Sequence, residues 1–144
     1  MNAVLGGQIA VTFTWLGMVL AISFLEAPLK FRAPGITVPL GVGIGRLVFR
    51  ALNVAEAVLW LAGFVALLLR AEEASPAEIW LVAVLGADLA IGAAVLRPIM
   101  DRKVVDRGAA TSVPRTALHL GYVALEIVKV GLLVALGVVL LAVA

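Results

Sequence analysis

Four long apolar stretches, at about residues 5–25, 47–69, 79–96 and 117–143, constrain this chain more than any other feature. A helix needs about 20 apolar residues to cross the ~30 Å hydrocarbon core of a bilayer. The first, second and fourth stretches meet that length, and the third meets it if it extends past Arg97. Of the 144 residues 64% are hydrophobic and only 14% charged. One soluble core cannot hide that much apolar surface, so lipid is the expected solvent. We therefore expect an all-α, polytopic membrane protein: a single integral membrane domain over residues 1–144, folded as a four-transmembrane-helix bundle. The N-terminal stretch lacks a basic flank and a small-residue cleavage site, and reads as a retained helix.

Charge placement gives an expected orientation. Lys30, Arg32, Arg46 and Arg50 flank the first connection, and Arg97, Arg102, Lys103, Arg107 and Arg115 the third. The second connection, AEEASPAE, carries Glu72, Glu73 and Glu78 with Arg70 as its only base. The positive-inside rule puts the basic connections in the cytoplasm, and both termini and the acidic turn on the other side. The net charge of +2 thus reads as a topology signal and not as a nucleic-acid surface. Ser75-Pro76-Ala77-Glu78 reads as a capped start for the third helix, with proline at the first helical position. The first connection, APGITVPLGVGIG over residues 33–45, is apolar and holds two prolines and four glycines. It reads as a loop at headgroup level, with a re-entrant segment as the alternative. No strand precedes its glycines, so it does not read as a phosphate loop.

Function has to come from the polar residues inside the apolar stretches, because charges at membrane depth are costly and functional by default. There are no cysteines and one histidine, which excludes disulfides, thiolate metal sites and multi-histidine sites within the chain. Glu56 lies ten residues after Arg46, Asp88 nine before Arg97, and Glu126 eleven after Arg115. At 1.5 Å per residue these carboxylates share one depth, about 15 Å from the basic helix ends. Helical spacing gathers further polar groups. His119, Tyr122, Glu126 and Lys129 form one stripe, and Arg46, Arg50, Asn53, Glu56 and Trp60 a second. Gln8, Thr12 and Trp15 form a weaker one on the first helix. Polar stripes in lipid face other helices or water. A faint internal repeat relates Pro28-Leu29-Lys30-Phe31-Arg32 to Pro98-Ile99-Met100-Asp101-Arg102, and Glu56 to Glu126.

Three readings of this polar middle are open. In the first it is a clamp, with Lys129 paired to Asp88 or Glu56. In the second the carboxylates exchange protons or hold a cation. In the third a carboxyl acts as general acid or base on a lipid-soluble substrate. The last lacks a nucleophile–base pair and a metal signature, so the chain reads as a non-enzyme with no cofactor. Our functional expectation is a small transporter or channel-like protein for a proton, cation or small cationic compound. Glu56, Asp88 and Glu126 would form its site and Lys129 an internal counter-ion, with Asn53, His119 and Tyr122 lining the approach. Four helices are few for a transporter, so a homo-oligomer is expected. The alternative is an accessory, scaffold or lipid-binding subunit of a membrane complex. His119, Trp15, Trp60 and Trp80 read more plainly as packing or interface residues than as ligands. Glu26 is spaced to pair with Lys30.

One resemblance adds to this. Trp15 and Gly17, FLEAPLKF, a glycine-rich connection, RLVFRALN, LRPIMDR and the fourth-helix His119 together resemble the transmembrane-protein-205-like family (domain of unknown function 4149). The resemblance spans nearly the whole chain and implies a small four-helix membrane protein. It implies no settled activity. The chain departs from the pattern in its short loops and in LRP, where a more acidic exit is expected.

Overall fold

A computed structural model describes the backbone of residues 2–93 and 117–144, with side chains in the last helix from residue 121 onward. All regular structure among these residues is helical. Helix α1 spans Ala3–Val19 and continues through a π-helical stretch, Leu20–Glu26, a helical turn, Ala27–Leu29, and a 3₁₀ turn, Lys30–Arg32. Helix α2 spans Val38–Leu69, α3 spans Pro76–Ile91 and α4 spans Ala117–Ala142. Three helical segments, Ala3–Arg32, Val38–Leu69 and Gly121–Ala142, are long and apolar enough to cross a membrane. Helix α3 is shorter over its described residues, and the expected continuation to residue 96, with the Arg97-Pro98 exit, lies outside them.

Local chemistry explains the helix starts. Asn2 caps α1 by accepting the Leu5 amide at 2.8 Å, and Thr37 accepts the Leu40 amide at 3.4 Å at the start of α2. Ser75 accepts the Glu78 amide at 3.2 Å with Pro76 at the first position of α3, the start its sequence predicts. The π-helical stretch also has a cause. Pro28 has no N–H, and its ring crowds the carbonyl four residues back. The preceding turns widen, and the Ala27 N–H bonds to the Ile22 carbonyl, five residues away.

The first connection differs from expectation. Residues 38–45 are not a loop but the first turns of α2, which begins about nine residues before the expected position 47. Gly41 and Gly45 lie on one face of these turns. The Phe31 ring fills the space a Cβ would take on Gly41, and the Lys30 side chain does the same at Gly45. The glycines are an interhelical seat, where small residues let neighbours approach closely. Lys30 also pairs with Glu26 at 3.5 Å and lies over the rings of Phe31 and Phe49.

Helix α1 packs against α2 and α4, and α3 packs against α4 and α2, so each helix has two neighbours. Large residues enter glycine seats across these contacts. Trp60 of α2 covers Gly86 of α3, and Phe13 of α1 covers Gly137 of α4. The dry core holds Leu5, Trp15, Val19, Leu67, Leu85, Leu133 and Leu140. The outside stays apolar as well, with Leu47, Val54, Leu69, Trp80 and Val138 exposed. Water does not tolerate so large a continuous apolar surface, whereas a bilayer does. An apolar groove of ≈ 540 Å³ runs between α1 and α2, lined by Val4, Gly7, Val11, Val58, Ala62 and Val65 among others, and no carboxylate lines it.

Candidate functional site: a lysine among three carboxylates

The helices bury their polar stripes against one another. On α1 the buried face is Leu5, Gln8, Thr12, Trp15 and Val19, at steps of three and four. On α2 it includes Leu52 and Glu56, on α3 Glu78, Val82, Leu85 and Asp88, and on α4 Tyr122, Glu126, Lys129 and Leu133. Two separate polar layers result.

The central layer is built on Lys129, which is 3% exposed. Its Nζ lies 2.8 Å from Glu126 Oε1, 2.9 Å from Glu56 Oε1 and 3.7 Å from Asp88 Oδ2. Three carboxylates from three helices thus converge on one ammonium, at the common depth their spacing predicts. Helix α1 adds two donors. Trp15 Nε1–H donates to Glu56 Oε1 at 3.0 Å, and the Ser23 hydroxyl donates to Glu126 Oε2 at 2.8 Å. The partners are unequally shared. Glu126 has a donor on each oxygen, and Glu56 has two donors on Oε1 and none on Oε2. Asp88 Oδ2 has no hydrogen bond, since 3.7 Å to Nζ is too long for one. Among the described residues no group of three or more histidine, cysteine or acidic side chains has the geometry of a metal site. The carboxylates close on the ammonium instead.

The second layer lies near the acidic turn and was not foreseen. Arg70 and Glu78 read in the sequence as topology charges, yet they are 5% and 1% exposed. Gln8 joins them: its Nε2 donates to Glu78 Oε1 at 2.8 Å and its Oε1 accepts from Arg70 Nη1 at 2.7 Å. Arg70 also approaches Glu78 directly at 3.5 Å and Glu73 at 3.6 Å, while Asn2 reaches Glu73 at 3.4 Å. One carboxamide therefore ties the start of α1 to the end of α2 and the start of α3. A cavity of ≈ 10 Å³ is lined by Gln8, Thr12, Trp15 and Trp60 among others. It has room for one water and nothing larger.

The remaining expected site residues are placed as follows. Asn53 is half-buried one turn before Glu56 and takes part in none of the central hydrogen bonds. Tyr122 is buried with its ring edge-on to Phe49, centroids 5.7 Å apart. The His119 side chain lies outside the described residues, as do Arg97, Arg102, Lys103, Arg107 and Arg115. Trp60 donates to the Val82 carbonyl at 2.9 Å and stacks on Phe64, a packing role. Trp15 does more than pack, because its N–H holds Glu56. Sequence reasoning missed Ser23, although a signal existed: Val19 and Ser23 extend the Gln8, Thr12 and Trp15 stripe by two further steps of four.

Comparison of the chain with protein-family models, curated proteins and solved structures gives no match.

Proposed function

We propose that this chain is a four-helix polytopic membrane protein, and that it handles protons or small cations at the carboxylates around Lys129. The observation that carries this is the charge count of the central layer. Among the described residues three buried carboxylates meet one buried ammonium, a formal excess of two negative charges in a low-dielectric interior. Uncompensated charge at that depth costs several kcal/mol per group. The layer lowers that cost by taking up protons or a cation, and a group that takes up positive charge inside a membrane is what a transporter or channel-like protein needs. The close approach of the carboxylates around Nζ favours the proton over a bulky organic cation. The basic connections support a cytoplasmic side opposite the acidic turn, with both termini on the non-cytoplasmic side. A homo-oligomer, or a subunit within a larger complex, belongs to the same reading. So does the resemblance to the transmembrane-protein-205-like family, which bears on fold and not on activity.

The second reading is a structural clamp in an accessory or lipid-binding subunit. The donors already placed on Glu56 and Glu126 favour it. Calorimetry of proton and cation binding to the protein in nanodiscs, with Glu56→Gln and Glu126→Gln beside wild type, separates the two. Binding in wild type that shifts in both variants while the fold persists supports the exchange site. Absence of binding in wild type, with both variants losing thermal stability, leaves the clamp.

A further inference from the structure

The three carboxylates are not equivalent, and their differences say which one exchanges. Glu126 is held on both oxygens, by Lys129 and by Ser23. Glu56 is held on Oε1 by Lys129 and Trp15. Among the described residues Asp88 has only the long approach of Nζ at 3.7 Å. Lys129 has its closest bonds to the two glutamates, and Asp88 is the surplus anion. Among the described residues two buried oxygens in this layer lack any hydrogen bond, Asp88 Oδ2 and Glu56 Oε2. Both belong to carboxylates that approach the same Nζ, at 3.7 and 2.9 Å. A buried oxygen without a donor is costly, and two acceptors cannot satisfy each other. A proton on one of them turns an acceptor into a donor.

We propose that Asp88 carries the exchangeable proton of this site, on Oδ2 and directed toward the unpartnered Oε2 of Glu56, while Glu56 and Glu126 remain the fixed anions of Lys129. This rests on the proton-handling reading above and names the residue that performs it. The ionisable groups around Asp88 among the described residues are Glu56 from α2 and Glu126 and Lys129 from α4; α1 contributes only the neutral donors Trp15 and Ser23 to the layer. The cycle balances simply. The proton enters as hydronium, leaves water behind and forms the Asp88 O–H. Release reverses this, and no other bond changes. In the loaded state both orphaned oxygens are satisfied by one hydrogen bond. In the empty state Asp88 and Lys129 are left to draw together, which loosens the ammonium from the glutamates. Proton occupancy at Asp88 is thereby coupled to how tightly α4 is tied to α2.

The test is infrared spectroscopy of the full chain in nanodiscs, titrated over about pH 4 to 10 and repeated in D₂O. Wild type is expected to show one titrating carboxylic-acid carbonyl band, the signature of a buried protonated carboxyl. In Asp88→Asn the band disappears while the protein stays folded with an unchanged or higher Tm, because an asparagine N–H replaces the acid O–H toward Glu56. Asp88→Ala loses the band and also loses Tm. Glu126→Gln keeps the band. Persistence of the band in Asp88→Asn, or its disappearance in Glu56→Gln alone, overturns the assignment to Asp88 and leaves proton handling by the layer intact. Absence of a titrating carboxyl in wild type over the whole range overturns the proton reading itself.

Discussion

Replacing Lys129 by methionine is the sharpest perturbation the structure offers. Methionine keeps the length and most of the volume of the lysine stem, so packing against Leu133 and the neighbouring helices changes little. The charge is lost. Glu126 and Glu56 then lose ammonium donors at 2.8 and 2.9 Å, and Asp88 the cation 3.7 Å away. Hydrogen bonds to charged groups contribute about 1.5–3 kcal/mol each, and removing one partner of a buried ion pair costs roughly 3–5 kcal/mol. Trp15 and Ser23 still hold one oxygen of each glutamate, which keeps the loss near the lower figure. We expect Lys129→Met to lower Tm by roughly 10 °C near neutral pH in detergent. A double-mutant cycle with Glu56→Gln checks the cause, since the double variant should lose less than the two single losses added. A Tm within about 2 °C of wild type at neutral pH, or strict additivity in the cycle, would refute the idea that this ammonium neutralises the layer.

Other outcomes follow from the remaining contacts. Arg70→Met leaves Glu78 buried with Gln8 alone, and thermal unfolding should register a loss of roughly 3 kcal/mol, whereas exposed Glu72→Gln should change stability by less than about 0.5 kcal/mol. Gly86→Ala drives a Cβ into the half-buried Trp60 indole, which is fixed by its bond to Val82, and should cost roughly 1–3 kcal/mol. Gly41→Ala meets the exposed Phe31 ring, which has room to turn aside, and the same assay should find a smaller loss. Because the chain has no cysteine, Ala33→Cys and Glu72→Cys report sidedness cleanly. An impermeant thiol reagent added outside intact cells should label only Glu72→Cys, and the reverse pattern would invert the proposed topology.

The sequence by itself determined what each helix contributes along its own axis. Rise per residue set Glu56, Asp88 and Glu126 at one depth before any fold was known, because a helix converts residue number into height. The three-and-four steps in His119, Tyr122, Glu126 and Lys129 likewise put these residues on one face. Ser75-Pro76 marked the start of α3 because capping is a property of a few adjacent residues.

Tertiary structure decided everything that depends on how one helix is turned toward another. Periodicity gives a residue its height and direction on its own helix, and says nothing about which helix stands opposite. Only the packing order brought Glu56 and Glu126 to either side of one Nζ and left Asp88 at the longer distance. Trp15 and Ser23 became donors to that site because α1 packs against both α2 and α4, and the widened turns before Pro28 carry the serine. Arg70 and Glu78 look like ordinary turn charges in the chain. They are buried because Gln8, some sixty to seventy residues earlier, supplies an acceptor to one and a donor to the other. The glycines before Arg46 look like a loop until Phe31 and Lys30 occupy the space their missing side chains leave, which allows α2 to begin at Val38. Contacts between distant residues carry no local signature, and in this protein they assemble both polar layers.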